Sequence, residues 1–325
     1  MRSWLVCLLL IGCGAKSEPA PSGHAEWTGH LMGSSAHIEA SGADQATCER
    51  AVQEAKAEIE RLDVMMTDWK PDSALMDINK AAGDHPVKVP PELYFVIQGS
   101  LEMSELTGGA FDISFAGAGK LWNWRAPDPQ IPTPDAIAKA LTNVGYQGIV
   151  LDPDARTVFL QRPGMRIGLD GIAPGYAGDR AMEKIRALGI TDAAIDMSGD
   201  LMLSGKKDGA PWQVAIKHPR DHDKDIAILP VENAAVSTSG DYERAFVKDG
   251  KRYSHIIDPR TGWPAEGCMS VSIIAPVLGF ADALATGVFV LGPEAGMALV
   301  EKLDRVEAII VAADGSVHLS SGLKH

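Results

Sequence analysis

The chain has 325 residues, 46% hydrophobic and 22% charged, enough to bury a full core in one large domain or two smaller ones. Its formal net charge of −13 sets up a field that repels nucleic acid and anionic lipid, so no nucleic-acid partner is expected.

At the start, Arg2, the apolar run Trp4 to Ile11 and the pair Gly12-Cys13 follow the charged, hydrophobic, small-residue order of a secretory signal over residues 1–12. The run is too short to span a bilayer. Leu10-Ile11-Gly12-Cys13 resembles a bacterial lipobox, which makes Cys13 the expected lipid attachment point and residues 13–24 a flexible tether. An ordinary signal cleaved elsewhere is the alternative. The expectation is an exported, membrane-anchored lipoprotein facing the periplasm or the cell exterior, held by its lipid alone, with the folded part over 25–325. Cys48 and Cys268 then remain, and their wide spacing favours buried free thiols over a bridge.

Further along, Val52, Ala55, Ile59, Leu62, Met65, Met66 and Trp69 recur at threes and fours, which predicts an amphipathic helix from Asp44 to Trp69, ended by Lys70-Pro71. Helices are also expected at Pro91 to Leu106, stopped by Gly108-Gly109, and at Pro134 to Val144, stopped by Gly145. Short runs rich in Val, Ile and Leu follow and read as strands between turn signals: Gly148 to Leu151, Thr157 to Leu160 and Met165 to Leu169. After a helix from Tyr176 to Leu188 come strand candidates at Ala193 to Met197, Leu201 to Ser204, Trp212 to Lys217, Ile226 to Pro230, Ala234 to Thr238 and Met269 to Ala275. Two helices, Phe280 to Leu291 and Pro293 to Leu303, and strands near Ala308 to Val311 and Ser316 to Leu319 complete the chain. Helices and strands mix without a strict alternating unit, which favours an α+β fold over a doubly wound sheet. Neither common glycine-rich nucleotide loop is present.

Four segments could carry chemistry. In Ala281-Asp-Ala-Leu-Ala-Thr286 a helix puts the Asp282 carboxylate and the Thr286 hydroxyl on one face, a turn apart. Both are hard oxygen donors that suit Mg2+, although Asp282 as a helix cap and Thr286 bonded back to a carbonyl would explain the same spacing. Gly168 to Asp179 is an apolar strand entering a glycine-dense turn and a helix; it reads equally as a cradle for phosphate or metal and as a tight connection with Asp179 in the first turn for the dipole. Asp196-Met-Ser198-Gly199-Asp200 is an acidic turn between strands. In Ser239 to Pro264, His255 precedes Asp258 and a Pro-Arg-Thr-Gly turn, so an imidazole near a carboxylate could take a proton from a hydroxyl.

In this order the segments resemble the ApbE family, the FAD:protein FMN transferases, from about Met32 onward. The matching blocks are Leu31 to Ser35, Ser73 to Asn79, Gly109 to Asp112, Asp170 to Tyr176, Ser198-Gly-Asp200, Ser237 to Gly240, Ser254 to Gly262 and Ala281 to Thr286. The resemblance implies an ApbE-like, tunnelling-fold-like α+β domain with mainly antiparallel sheets and flanking helices. It also implies Mg2+-dependent transfer of FMN from FAD to a Ser or Thr hydroxyl of an acceptor protein, with release of AMP. Carried over residue by residue, Mg2+ falls to the Ala173 carbonyl with Asp282 and Thr286. FAD falls to Met32, Trp69, Ala110, Phe111, Asp112, Asp170, Tyr176 and backbone near Ile257. His255, aided by Asp258, becomes the base for the acceptor hydroxyl. Pro174 departs from the family, which usually has Lys there; if that Lys helps neutralise the dinucleotide, this chain should bind FAD more weakly or use another cation, such as Lys120 or Arg244. A flavin-binding lipoprotein that transfers nothing, and an FAD pyrophosphatase in which water replaces the acceptor, use the same metal site.

Overall fold

A computed structural model describes residues 23–124 and 126–324, so Cys13 lies outside the described residues. Eight strands form one sheet, antiparallel at every pairing: His24–Leu31, Ser34–Ser41, Asp192–Met197, Asp200–Ser204, Ala234–Gly240, Cys268–Ala275, Glu307–Ala312 and Val317–Leu319. Side chains alternate across a strand, and here both faces are covered. Ala193, Ile195 and Met197 join the core beneath the helices Gln45–Met66, Ala173–Ala187 and Leu278–Leu291, as do Ala235, Ala308 and Ile310. Ala194, Leu203, Val236 and Ile309 point the other way, onto Trp212, Val214 and Val231 of a hairpin formed by Trp212–His218 and Asp221–Val231. The α+β expectation holds, with helices flanking an antiparallel sheet.

Several boundaries moved. The first helix is Gln45–Met66, capped by Asp44, whose Oδ1 accepts from Thr47 N at 3.0 Å, and it stops three residues before Trp69. The opening hairpin, His24–Leu31 with Ser34–Ser41, has polar residues on its outer face and carried no strand expectation. Ala74–Lys80 is a further helix, and Ala245–Lys248 pairs with Lys251–Ser254. Met165 to Leu169 is not a strand, although Met165, Ile167 and Leu169 are buried alternately as in one. Its backbone is held instead by Asn79, whose Nδ2 donates to Ile167 O at 2.9 Å and whose Oδ1 accepts from Ile167 N at 2.8 Å. Cys48 and Cys268 are buried free thiols. No described helix is long and apolar enough to cross a membrane.

A separate aromatic cluster joins residues 115–141 to residues 246–263. Trp122 is 1% exposed, stacks on Trp124 at 5.7 Å, meets Trp263 edge-on at 5.5 Å, and donates from Nε1 to Gly262 O at 3.0 Å. Trp122→Ala is expected to lower unfolding stability by about 3–5 kcal/mol in urea denaturation. A loss below about 1 kcal/mol would show that the cluster contributes little to holding these segments together.

Candidate active site

The site forms where the helices Ala173–Ala187 and Leu278–Leu291 meet. Pro174 is the second residue of its helix, where no intrahelical N–H is needed, so the helix begins at Ala173 despite it. Gly175 N donates to Asp282 Oδ2 at 3.3 Å. A Cβ on Gly175 would lie 2.7 Å from Leu278 O, so only glycine lets the two backbones come this close. At the other end of the turn, a Cβ on Gly171 would lie 3.3 Å from the Phe111 ring and 3.8 Å from Thr286 Oγ1. Asp282 and Thr286 therefore both face the Gly171–Gly175 turn, which has Ala173 at its middle.

This arrangement removes the capping explanation of the pair. The helix begins at Leu278, which leaves Asp282 in its interior, and Thr286 Oγ1 lies 3.3 Å from Ser239 Oγ on the neighbouring strand. Ser237, two residues earlier and so on the same strand face, donates to Asp200. Ser239 and Asp200 thus join the site through contacts between two strands and a helix. The alternation of Ser237 and Ser239 on a strand is the one local signal of their shared face.

Electrostatics at Asp282 are adverse. Burial pushes its carboxyl well above the usual range, and the charges of Asp200, Asp170 and Asp179 add to the shift against one backbone donor, Gly175 N. Burial likewise raises Asp200 to about 6, with Ser237 opposing. No group of three or more His, Cys, Asp or Glu side chains among the described residues is arranged to hold a metal. The donors here are of another kind: a carboxylate, a hydroxyl and a carbonyl, all hard oxygens. A divalent cation beside them would reverse the penalty on ionised Asp282. The residues fit Mg2+.

The other expected site residues sit on several elements. Met32, with φ of 50°, and Gly33 turn between the first two strands, and Ser198-Gly199 turn at the same end of the sheet, where Ala36 pairs with Met197. Asp170 is exposed in the turn before the helix. Ala110 and Phe111 are buried, and Phe111 N donates to Thr107 Oγ1 at 3.1 Å. Trp69 is 66% exposed with Lys70 Nζ 4.7 Å from its ring centroid; its neighbour Asp68 binds Arg166, which ties this bend to the segment leading to Asp170. Tyr176 packs 5.9 Å from Phe95. Both oxygens of Asp112 are used within the fold, accepting from Ser114 N and Tyr146 N at 2.8 Å.

His255 and Asp258 do not form the expected pair. Asp258 takes a two-pronged contact from Arg260, at 2.8 Å to Nε and Nη2, because the turn brings residue 260 back over it. His255 instead donates its backbone N–H to Arg244 O at 2.9 Å, and its Nδ1 is buried without a partner among the described residues. Burial, then the charge of Arg244, pulls its pKa down to about 4, with Asp241 opposing. Ile257 is buried in the aromatic cluster.

The ApbE family model matches residues 32–310. A Treponema pallidum FAD:protein FMN transferase is 33% identical, covering 98% of this chain and 92% of its own length. A Klebsiella pneumoniae protein of the same name is 35% identical, covering 91% and 87%. Among solved structures, an ApbE protein from Thermotoga maritima superposes with a TM-score of 0.84 at 32% identity, covering 93% of this chain and 98% of that one. The flavin transferase ApbE from Vibrio cholerae gives 0.83 at 28% identity, covering 94% and 99%.

Proposed function

This chain belongs to the ApbE family, and on that premise we propose that it moves FMN from FAD onto a Ser or Thr hydroxyl of an exported acceptor protein, releasing AMP with Mg2+ bound. The enzyme class, FAD:protein FMN transferase, follows from the relatives; the cation, the hydroxyl and the leaving group are the added reading. The observation that carries it is the convergence of Asp282 and Thr286 on the Gly171–Gly175 turn.

The Ala173 carbonyl, Asp282 and Thr286 would hold Mg2+, leaving coordination positions for phosphate oxygens and water. Bound there, the ion supplies positive charge against the pyrophosphate and the departing AMP. The start of the Ala173–Ala187 helix adds a favourable dipole for anions. Pro174 supplies no cation, and Arg244, whose charge reaches His255, is the substitute beside the proposed base. The acceptor oxygen attacks the FMN phosphorus, the bond to the bridging oxygen breaks, and AMP leaves with that oxygen. The hydroxyl proton passes to His255, which is neutral at pH 7.

Incubation with FAD, Mg2+ and a candidate acceptor tests the reading. Flavin fluorescence on the denatured acceptor band is expected. Free FMN without labelled protein would replace transfer by hydrolysis, and intact FAD would leave only binding. The signal and Cys13 support an exported lipoprotein as part of the same reading. Cys13→Ser is expected to move most of the protein from the membrane fraction to the soluble one; unchanged fractionation would remove the lipid anchor.

A further inference from the structure

The helix Leu278–Leu291 has no cap of its own, since Val277 before it makes no side-chain cap bond. Its first two amides donate to Asp179 instead, Leu278 N to Oδ1 and Gly279 N to Oδ2, each at 2.8 Å. Asp179 belongs to the facing helix Ala173–Ala187. The two backbones nearly touch beside it: a Cβ on Gly279 would lie 3.0 Å from Tyr176 N, and one on Gly178 would lie 2.8 Å from Leu278 Cδ2. One carboxylate therefore clasps the helix offering Ala173 to the helix offering Asp282, one turn beyond the clasp.

We infer that Asp179 is a positioning residue for the cation site, fixing the separation between the Ala173 carbonyl and the Asp282 carboxylate and so setting divalent-ion affinity without touching the ion. The inference rests on the reading of Ala173, Asp282 and Thr286 as donors. Mg2+ demands near-ideal octahedral geometry at about 2.0–2.1 Å, so donors on two separate helices must be held to tenths of an ångström. Loss of groups that orient ligands costs about 10–100-fold in metal affinity. Asp179→Asn keeps the shape but presents an amide N–H₂ to one of two N–H groups that need an acceptor.

Mn2+ titration of the full chain, following the free ion by electron paramagnetic resonance, tests this, with circular dichroism reporting the fold. Asp179→Asn is expected to raise the Mn2+ Kd about tenfold, and Asp179→Ala by up to about 100-fold. Asp44→Ala removes a comparable cap from the Gln45–Met66 helix, away from the seam, and is expected to lower thermal stability with Mn2+ Kd unchanged. A folded Asp179→Asn variant with wild-type Kd would overturn the inference, as would equal weakening by Asp44→Ala. Wild-type Mn2+ affinity in Asp282→Ala would instead overturn the donor reading beneath it.

Discussion

Asp282→Ala is expected to reduce Mg2+-dependent FMN transfer by about 10³-fold or more, since one ligand of a charge-neutralising cation is worth several kcal/mol at the transition state. The same change should not destabilise the metal-free protein. Asp282 is held above the usual carboxylate range by burial and by Asp200, Asp170 and Asp179, so its ionised form costs stability when nothing positive sits beside it. Asp179 and Asp200, both at about 6, carry the same sign. An unfolded Asp titrates near about 3.9, so between about pH 4 and 6 the folded state binds more protons than the unfolded one. Stability of the chelator-treated protein should therefore rise as pH falls from 7 toward 5, and Mg2+ should raise Tm more at pH 7 than at pH 5. Thermal unfolding with EDTA and with Mg2+ at the two pH values measures this. An Asp282→Ala variant that still gains Tm from Mg2+ and still turns over would remove Asp282 from the metal site.

His255→Ala is expected to lower the transfer rate by about 10²–10⁴-fold with FAD binding retained, the range for a positioned general base. The pH profile is the sharper measurement. A histidine in water loses its proton near about 6.5, whereas burial and Arg244 place His255 at about 4. Protonation of His255 should therefore begin to limit the rate only as pH falls toward 4, and no limb attributable to it should appear near 6.5. Its effect on stability has the opposite sign to that of the carboxylates. The unfolded chain binds more protons between about pH 4 and 6.5, so stability from this group rises with pH across that window. An unchanged rate in His255→Ala would leave the acceptor proton to another group, and an acid limb near 6.5 would show that the free imidazole is not buried during turnover.

How much of the site could be read in advance depends on the distance over which each contact acts. Asp282 and Thr286 are i and i+4 on one helix, and helical geometry alone puts them on one face. Asp258 beside His255 looked equally local, yet a turn folds on its own terms, and Arg260 two residues on claims the carboxylate. Ser239 with Thr286 and Asp179 with Leu278 join residues 47 and 99 positions apart, which no local period encodes. The same holds for Met165 to Leu169, whose alternation is real, but whose backbone partner at Ile167 is the Asn79 side chain where a strand would have supplied one. The opening hairpin was hidden by its own exposure: Glu26, Thr28 and His30 face solvent, so half its residues carry no hydrophobic signal.

The seam between the two helices also orders events in time. Ala173 lies on one side and Asp282 and Thr286 on the other, more than a hundred positions later in the chain. A nascent chain synthesised only as far as Val277 presents a lone carbonyl from this set, too little to retain a hydrated cation. The proposed ion therefore has no complete donor set until both helices are present, and it is taken from whatever compartment the chain has reached when they dock.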